Sequence, residues 1–298
     1  MANRILVSGV SGPIGKALLP SLRQRGFAIT RLVRGATAEG DQVAWDPAKP
    51  LAPEAVSGFE AVIHLAGESI VGRWTEEKKK KIRNSRVDGT RHLAEALAKS
   101  AQKPRVLVAG SAIGFYGDRG DEVLREESAS GSGFLAEVCR EWEAAAQPAA
   151  EAGIRTVNIR TGVVLSTTGG ALEKMLLPFK LGLGGKIASG KQWWSWIDVQ
   201  DMVGAIHHIL KTDLLQGPVN LVAPRPVTNA EFTKALAAAL HRPAIFPMPA
   251  LAARLAFGQM ADELLLASQR VEATKLVRSG YPFQYQDLGK SLVNLVKT

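Results

Sequence analysis

The run Ile5-Leu-Val-Ser-Gly9-Val-Ser-Gly12-Pro-Ile-Gly15 constrains this chain more than any other stretch. Arg4 to Ser8 has the apolar character of a buried strand, and Pro13 to Arg25 has helical spacing with proline at its start. Glycine stands at every third position of the turn between them. Such a turn exposes backbone N–H groups and a helix N-terminus, which together receive an anion such as a pyrophosphate. Gly9 permits a tight turn at positive φ, Gly12 lets main chain approach phosphate oxygens, and Gly15 lets the helix lie close on the strand. Phe27 to Val33 then supplies a second strand and completes a βαβ unit. Gly9, Ser11, Gly12, Pro13, Ile14 and Gly15 are therefore read as a dinucleotide cradle.

The end of the second strand selects the dinucleotide. A site for NAD places Asp or Glu about 20 residues beyond the glycines, to accept from the ribose 2′-OH. Here that position holds Val33, Arg34 and Gly35, with Arg31 just before and no acid. Guanidinium forks suit a 2′-phosphate dianion, so NADP is expected, with Arg31 and Arg34 as paired donors.

With 298 residues, 46% of them hydrophobic, the chain can bury a full core as one large α/β domain with or without an appendage. Its net charge of +9 is dispersed except at Lys78-Lys-Lys-Lys81 and Arg83. Those follow Glu76-Glu77 on a helical pattern and read as a solvated face, so no nucleic-acid partner is expected. The single cysteine, Cys139, excludes an internal disulfide framework. Met1-Ala-Asn-Arg4 leads straight into the first strand without a signal-like segment, and no apolar run approaches the roughly 20 residues of a membrane span. A cytoplasmic location and no membrane partner are expected.

Ala61 to Ala66, Arg105 to Gly110 and Thr156 to Arg160 are further strand-like runs, alternating with helical patterns at Glu76–Ser100 and Ser132–Ala152. This rhythm predicts an α/β fold, a Rossmann-type doubly wound parallel sheet covered on both faces. Ligands collect beyond the strand C-termini of such sheets. That rule adds Asp46, then Leu65, Ala66 and Gly67, then Ser111 and Ala112, then Arg160 and Gly162 to the cofactor side. Residues 1–165, with 197–225 returning to them, are expected to form the dinucleotide core. Residues 166–196 and 226–298 are expected to form a smaller, mostly helical lobe on the substrate side. Trp193, Trp194 and Trp196 read there either as aromatic walls for a substrate or as core or dimer-face side chains.

The glycine pattern, with Ala61-Val-Ile-His-Leu-Ala-Gly67, Phe115-Tyr116-Gly117 and Ser195-Trp-Ile-Asp-Val-Gln-Asp201, resembles the extended short-chain dehydrogenase/reductases. Leu65-Ala-Gly-Glu-Ser-Ile70, Lys81-Ile-Arg-Asn-Ser-Arg86 with Gly89-Thr90, Phe134-Leu-Ala-Glu-Val-Cys139 with Trp142-Glu143, Gly217-Pro-Val-Asn220 and Ser268-Gln-Arg-Val271 narrow the resemblance. They are similar to the atypical "epimerase family protein" or SulA-like branch, over essentially the whole chain, including its C-terminal tail of undefined function. The resemblance implies NADP(H) binding. In active relatives a Tyr-x-x-x-Lys pair on one helix face moves the proton, aided by a serine. Those positions fall here on Leu135 (or Phe134) and Cys139, and the serine falls on Ala112 beside Ser111.

The chain has only Tyr116, Tyr281 and Tyr285, none of them four residues before a lysine. Tyr116 and Glu68 are the substitutes expected to carry catalysis, Glu68 on condition that burial raises its pKa. Glu126 and Glu127 are further carboxylates near the expected cleft. Cys139 reads as a packed small hydrophobe. His207 and His208 are adjacent on a helix and point apart, and no metal is expected. Trp194 replaces the arginine that the resemblance would place on a sugar-nucleotide diphosphate. The function expected is an NADP(H)-binding oxidoreductase-like protein without Tyr-x-x-x-Lys, acting on a small substrate that is apolar or planar. A non-catalytic NADPH sensor or scaffold and a nucleotide-sugar epimerase are the alternatives. The partners are a small-molecule substrate and, as an open option, a second copy in a homodimer.

Overall fold

The computed structural model describes residues 3–35 and 40–297. Strand β1 (Arg4–Ser8) ends at Gly9, φ +72°, and the chain turns into helix α1 (Pro13–Gln24), capped by Gly12. Strands β2 (Ala28–Arg34), β3 (Gln42–Trp45) and β4 (Ala61–His64) follow. Helix α2 (Glu76–Lys99) starts where the Thr75 side chain accepts from Lys78 N, and leads to β5 (Val106–Ala112). After the short β6 (Val123–Leu124), the single helix expected over Ser132–Ala152 is two, α3 (Phe134–Ala145) and α4 (Gln147–Glu151). Pro148 has no N–H to continue the ladder, so the chain restarts at Ala146.

The second half contains β7 (Arg155–Thr161), β8 (Val163–Leu165), α5 (Gly170–Lys180), β9 (Trp193–Trp194), β10 (Trp196–Asp198) and α6 (Val199–Lys211). It continues with β11 (Gly217–Leu221), β12 (Val227–Thr228), α7 (Asn229–Leu240) and α8 (Ala250–Phe257). A π-helical turn at Ala261–Leu265, β13 (Arg270–Val271), α9 (Thr274–Arg278) and α10 (Leu288–Lys297) close the chain.

Seven strands form one parallel sheet in the order β11-β7-β5-β4-β1-β2-β3. The expected doubly wound α/β architecture is present. Alternate side chains of each strand serve opposite faces: Ile5, Val7, Ile63 and Val108 pack with α1 and α6, whereas Leu6, Val62 and Leu107 pack with α2 and α4. The chain order reverses between β1 and β4, opening a crevice at their C-terminal ends.

A separate core unites α5, α7 and α10 around Leu172, Phe179, Phe232, Leu236 and Leu292. Trp194 and Trp196 belong to it: Trp194 lies 5.2 Å from the Phe232 ring, and Trp196, only 1% exposed, donates its indole N–H to Arg225 O. Two of the three tryptophans are therefore core rather than substrate walls. Burying each is worth roughly 1.5–3 kcal/mol or more, which explains their apolar surroundings. In the lysine run on α2, Lys80 and Lys81 are exposed, Lys79 pairs with Glu76 (3.0 Å) and Lys81 with Glu77 (2.6 Å), while half-buried Lys78 turns to Glu68. Among the described residues no helix is long and apolar enough to cross a membrane.

A Cβ built on Gly15 would lie 2.5 Å from Gly9 O and 2.6 Å from Val10 Cα, both backbone atoms that cannot step aside. Gly15→Ala should therefore destabilise the fold by about 1–3 kcal/mol in urea denaturation, as overpacking does. An unchanged midpoint would contradict the close helix–strand approach.

Candidate functional site

The crevice is bounded by the glycine turn after β1 and by the turn after β4. A Cβ on Gly9 would lie 2.5 Å from both Leu65 C and Leu65 O, so the two turns touch main chain to main chain. Gly12 differs: a Cβ there would meet only Gly9 O, at an ordinary 3.4 Å. The fold itself does not require glycine at that position, and the space above it is open. The first turn of α1 has neither a side-chain cap nor an acidic residue. With Ser11 exposed and Pro13 and Ile14 half-buried, the cradle presents N–H groups and the positive end of α1 to anything entering the crevice.

On one side of the glycine turn lie the ends of β2 and β3. Arg34 is exposed at the last residue of β2, opposite Trp45, and Asp46 follows Trp45. Asp46 accepts from Ala48 N at 3.0 Å and stabilises its own turn. Arg31 sits mid-strand and fails to join Arg34, because residues three apart on a strand face opposite sides. Its fork is spent on Asp41, with Nε at 3.0 Å and Nη2 at 2.5 Å. That hydrogen bond also holds the Asp41 carboxyl below the usual carboxylate range. Of the expected pair of cationic forks, Arg34 alone is available.

On the other side lies the end of β4. Ser8 Oγ accepts from Leu65 N (3.2 Å) and Ala66 N (3.3 Å) and stands 2.7 Å from His64 Nδ1, fixing where the strand ends. Gly67 lies over Arg86, whose Cζ would be 3.1 Å from a Cβ there. Arg86 in turn donates to Glu68 O at 2.9 Å and stacks on Trp142. Glu68 contradicts its expected role as a proton donor. Lys78 Nζ stands 2.8 Å from its carboxylate, and that bond, reinforced by Arg34 and Lys81, holds its pKa below the ordinary value. Near neutral pH it has no proton to give.

Beyond the ends of β5 and β7 is a buried polar chain. Arg160, 3% exposed, binds Glu143 through Nε (2.8 Å) and Nη2 (2.9 Å), and Ser111 donates to Glu143 Oε1 at 2.7 Å. Arg160 Nη1 also donates to the Tyr116 hydroxyl (3.0 Å) and to Glu126 O (3.1 Å). The Tyr116 hydroxyl donates in turn to Asn220 Oδ1 at 2.7 Å. Two expectations fall here. Tyr116 is fully buried, with its pKa pushed up to about 12 by burial, so it faces the core rather than a substrate. Arg160 is buried with four of its five N–H donors given to protein partners, and it is not open to a cofactor. Glu126 is buried in the same cluster, and burial raises its pKa; Glu127 is exposed.

Other expected residues have local duties. Ala112, half-buried, follows Ser111 at the end of β5. Gly162 is demanded by packing, since a Cβ would lie 2.6 Å from Ser195 O. Leu135 and Cys139 share one face of α3 and pack over Gly114, and burial pushes the Cys139 thiol up to about 12. His207 and His208 turn to Ser21 (2.8 Å) and Ser279 (2.9 Å) respectively. Trp193 alone of its trio is accessible, donating to Asp121 at 2.7 Å beneath the Arg270 guanidinium.

Residues 5–221 match the model of the NAD dependent epimerase/dehydratase family. This chain belongs to that family. Residues 248–295 match a domain of unknown function, DUF1731. An epimerase family protein of Mycobacterium bovis, Mb2239, is 41% identical over 295 residues, covering 98% of this chain and 97% of its own. The crystal structure of human epimerase family protein SDR39U1 (isoform 2) with NADPH is 35% identical, with a TM-score of 0.91 over 99% of both chains. The structure of a nucleoside-diphosphate sugar epimerase from Corynebacterium glutamicum is 38% identical, with a TM-score of 0.83 over 99% of this chain and 58% of that one.

Ser8 and Arg86 also border the crevice, whereas Glu143 and Asn220 belong to the buried cluster behind it; no sequence motif pointed to these four roles. Arg160 carried a signal, being a charge at the end of the strand-like run Thr156 to Arg160. Two outcomes test this geometry. Tyr116→Phe should cost about 1–3 kcal/mol of stability, since it leaves Asn220 and Arg160 short of a buried partner. Burial holds His64 neutral down to about pH 4, against an ordinary value of 6.5. As pH falls below 6.5 the unfolded chain takes up a proton that the folded one refuses. His64 should thus contribute an acid loss of about 1.4 kcal/mol per pH unit, seen in urea denaturation and missing in His64→Gln.

Proposed function

We propose that this protein binds NADP(H) across the β1/β4 crevice and is oxidoreductase-like, with a small, largely apolar substrate. The observation that carries this reading is the combination of an uncapped α1 N-terminus under open space at Gly12 with an exposed guanidinium, Arg34, at an acid-free β2 end. Main-chain amides from Gly9 to Gly15 would hold the pyrophosphate, and Arg34 would meet the 2′-phosphate. The human relative crystallised with NADPH supports the same choice of cofactor.

Bound NADPH supplies a hydride. The accompanying proton has no donor at the positions that the resemblance gives the pair, where Leu135 is aliphatic and Cys139 is buried with its pKa raised, nor at the expected substitutes, where Glu68 is ionised and Tyr116 is sealed in the core. A proton drawn from solvent fits these constraints. The apolar preference rests on Ile70, Phe134, Phe257 and Leu264, half-buried around Trp74 and Met260 beside the crevice. This wall replaces the one expected from Trp194 and Trp196.

The missing donor equally favours a second reading, an NADPH-binding sensor or scaffold without turnover. Sugar-nucleotide epimerisation gains no support at Trp194, which lies in the core where a diphosphate cannot reach.

Arg34→Ala should weaken NADPH binding at least about tenfold and leave NADH unaffected, the value of one charge-assisted hydrogen bond. Arg31→Ala should change neither, because that fork already serves Asp41; isothermal titration calorimetry checks both. Incubation with NADPH and a panel of quinones, aldehydes and enones separates the two readings. Loss of absorbance at 340 nm establishes a reductase, and a flat trace across the panel favours the sensor.

A further inference from the structure

We propose that the C-terminal segment Met260–Val271 is a clamp that sets the loops receiving the nicotinamide half of the dinucleotide, with Gln269 as its central positioning residue. The proposal rests on the reading that NADP(H) occupies the crevice. The glycine turn divides that crevice: the ends of β2 and β3, with Arg34, lie on one side, and the ends of β4 and β5 lie on the other. A dinucleotide whose adenosine phosphate meets Arg34 therefore extends its second half over β4 and β5.

The segment ties that second side together. The Gln269 amide donates to Ile113 O (3.2 Å) and to Gly117 O (3.1 Å), bridging both ends of the single turn that follows β5. Ser268 extends the grip to the next residues, its N donating to Asp118 Oδ1 (3.0 Å) and its hydroxyl to Gly120 O (2.6 Å). Trp193 N donates to Ser268 Oγ and Gln269 N to Trp193 O, both at 3.0 Å, so β9 is held by the same two residues. Val271 pairs with Leu124 in the β13–β6 ladder.

The preceding π-helical turn reaches the remaining loops. Glu263 accepts from Phe134 N (3.1 Å) and Leu135 N (2.7 Å), capping α3 from outside the helix at the position where the resemblance places a tyrosine. Gly72 N, in the loop after β4, donates to Met260 Sδ at 3.3 Å. The bonds to Gly72, Ile113 and Gly117 fall in the loops that directly follow β4 and β5. The segment belongs to the region matched by the domain of unknown function, and its bonds give that region a physical role. It holds loops that the sheet leaves free at its C-terminal edge.

Gln269→Glu keeps size and shape but turns a donor into a carboxylate facing two carbonyl oxygens. Calorimetric titration of the full-length variant with NADPH and with 2′,5′-ADP, which carries only the adenosine half, tests the clamp. The expected result is at least a tenfold loss of NADPH affinity with 2′,5′-ADP affinity held within twofold. Ser268→Ala should show the same split more weakly, and it decides the matter if Gln269→Glu does not fold. Equal losses for both ligands indicate general destabilisation and overturn the proposal, as does no loss for either. Equal affinities of the unmodified protein for the two ligands overturn it too, because the nicotinamide half would then bind nothing. Failure of the unmodified protein to bind either ligand defeats the cofactor reading itself, and the clamp with it.

Discussion

The main-chain contact between the turns after β1 and β4 is the constraint on which the rest depends. Gly9 brings its Cα so close to Leu65 that no side chain fits, and Ser8 Oγ takes the two amides that follow His64. Two strand ends are thereby locked at a fixed separation just where chain order reverses. The helix that leaves Gly12 then points its positive end into the gap, with Gly15 letting it lie flat on the sheet. Replace either contact by one extra methyl group and the cradle loses its depth, whatever the remaining residues are.

A second constraint is electrostatic and lies under the β5 and β7 ends. Removing an arginine from water costs several kcal/mol, and Arg160 is retained only because Glu143 meets it with two hydrogen bonds. The pair recruits Ser111, Tyr116, Glu126 and Asn220 into one buried hydrogen-bonded cluster, leaving these groups no freedom to do chemistry at a surface. Polar residues that look catalytic in a linear reading are here the means by which β5, β7 and β11 are joined. The carboxylate at Glu68 shows the opposite case: it is accessible, but the cations around it keep it charged.

Leu135 and Cys139, where the resemblance places the tyrosine and lysine, pack over Gly114 on an apolar face of α3. The half-buried Ile70, Phe134, Phe257 and Leu264 extend that character across loops from distant parts of the chain. Met260 from the C-terminal region packs with them, so that this apolar cluster draws on both matched segments of the chain.

How much could be read in advance differs from residue to residue. The βαβ unit, the parallel sheet and the glycine turn were legible, because strand and helix periodicity and positive-φ demands act over a few neighbouring residues. Helix α1 begins at Pro13 as its pattern implies, whereas Pro148 splits what periodicity alone joins into one helix. The roles of Arg31, Tyr116, Arg160, Trp194 and Trp196 were not legible. Each depends on a partner far away in sequence or on an adjacent strand, from Asp41 to Phe232, and burial and charge pairing exist only after the sheet has formed. Sequence determined that this chain builds a cradle for a dinucleotide; tertiary structure alone decided which cations remain free to meet it, because a guanidinium's availability is set by what has folded against it.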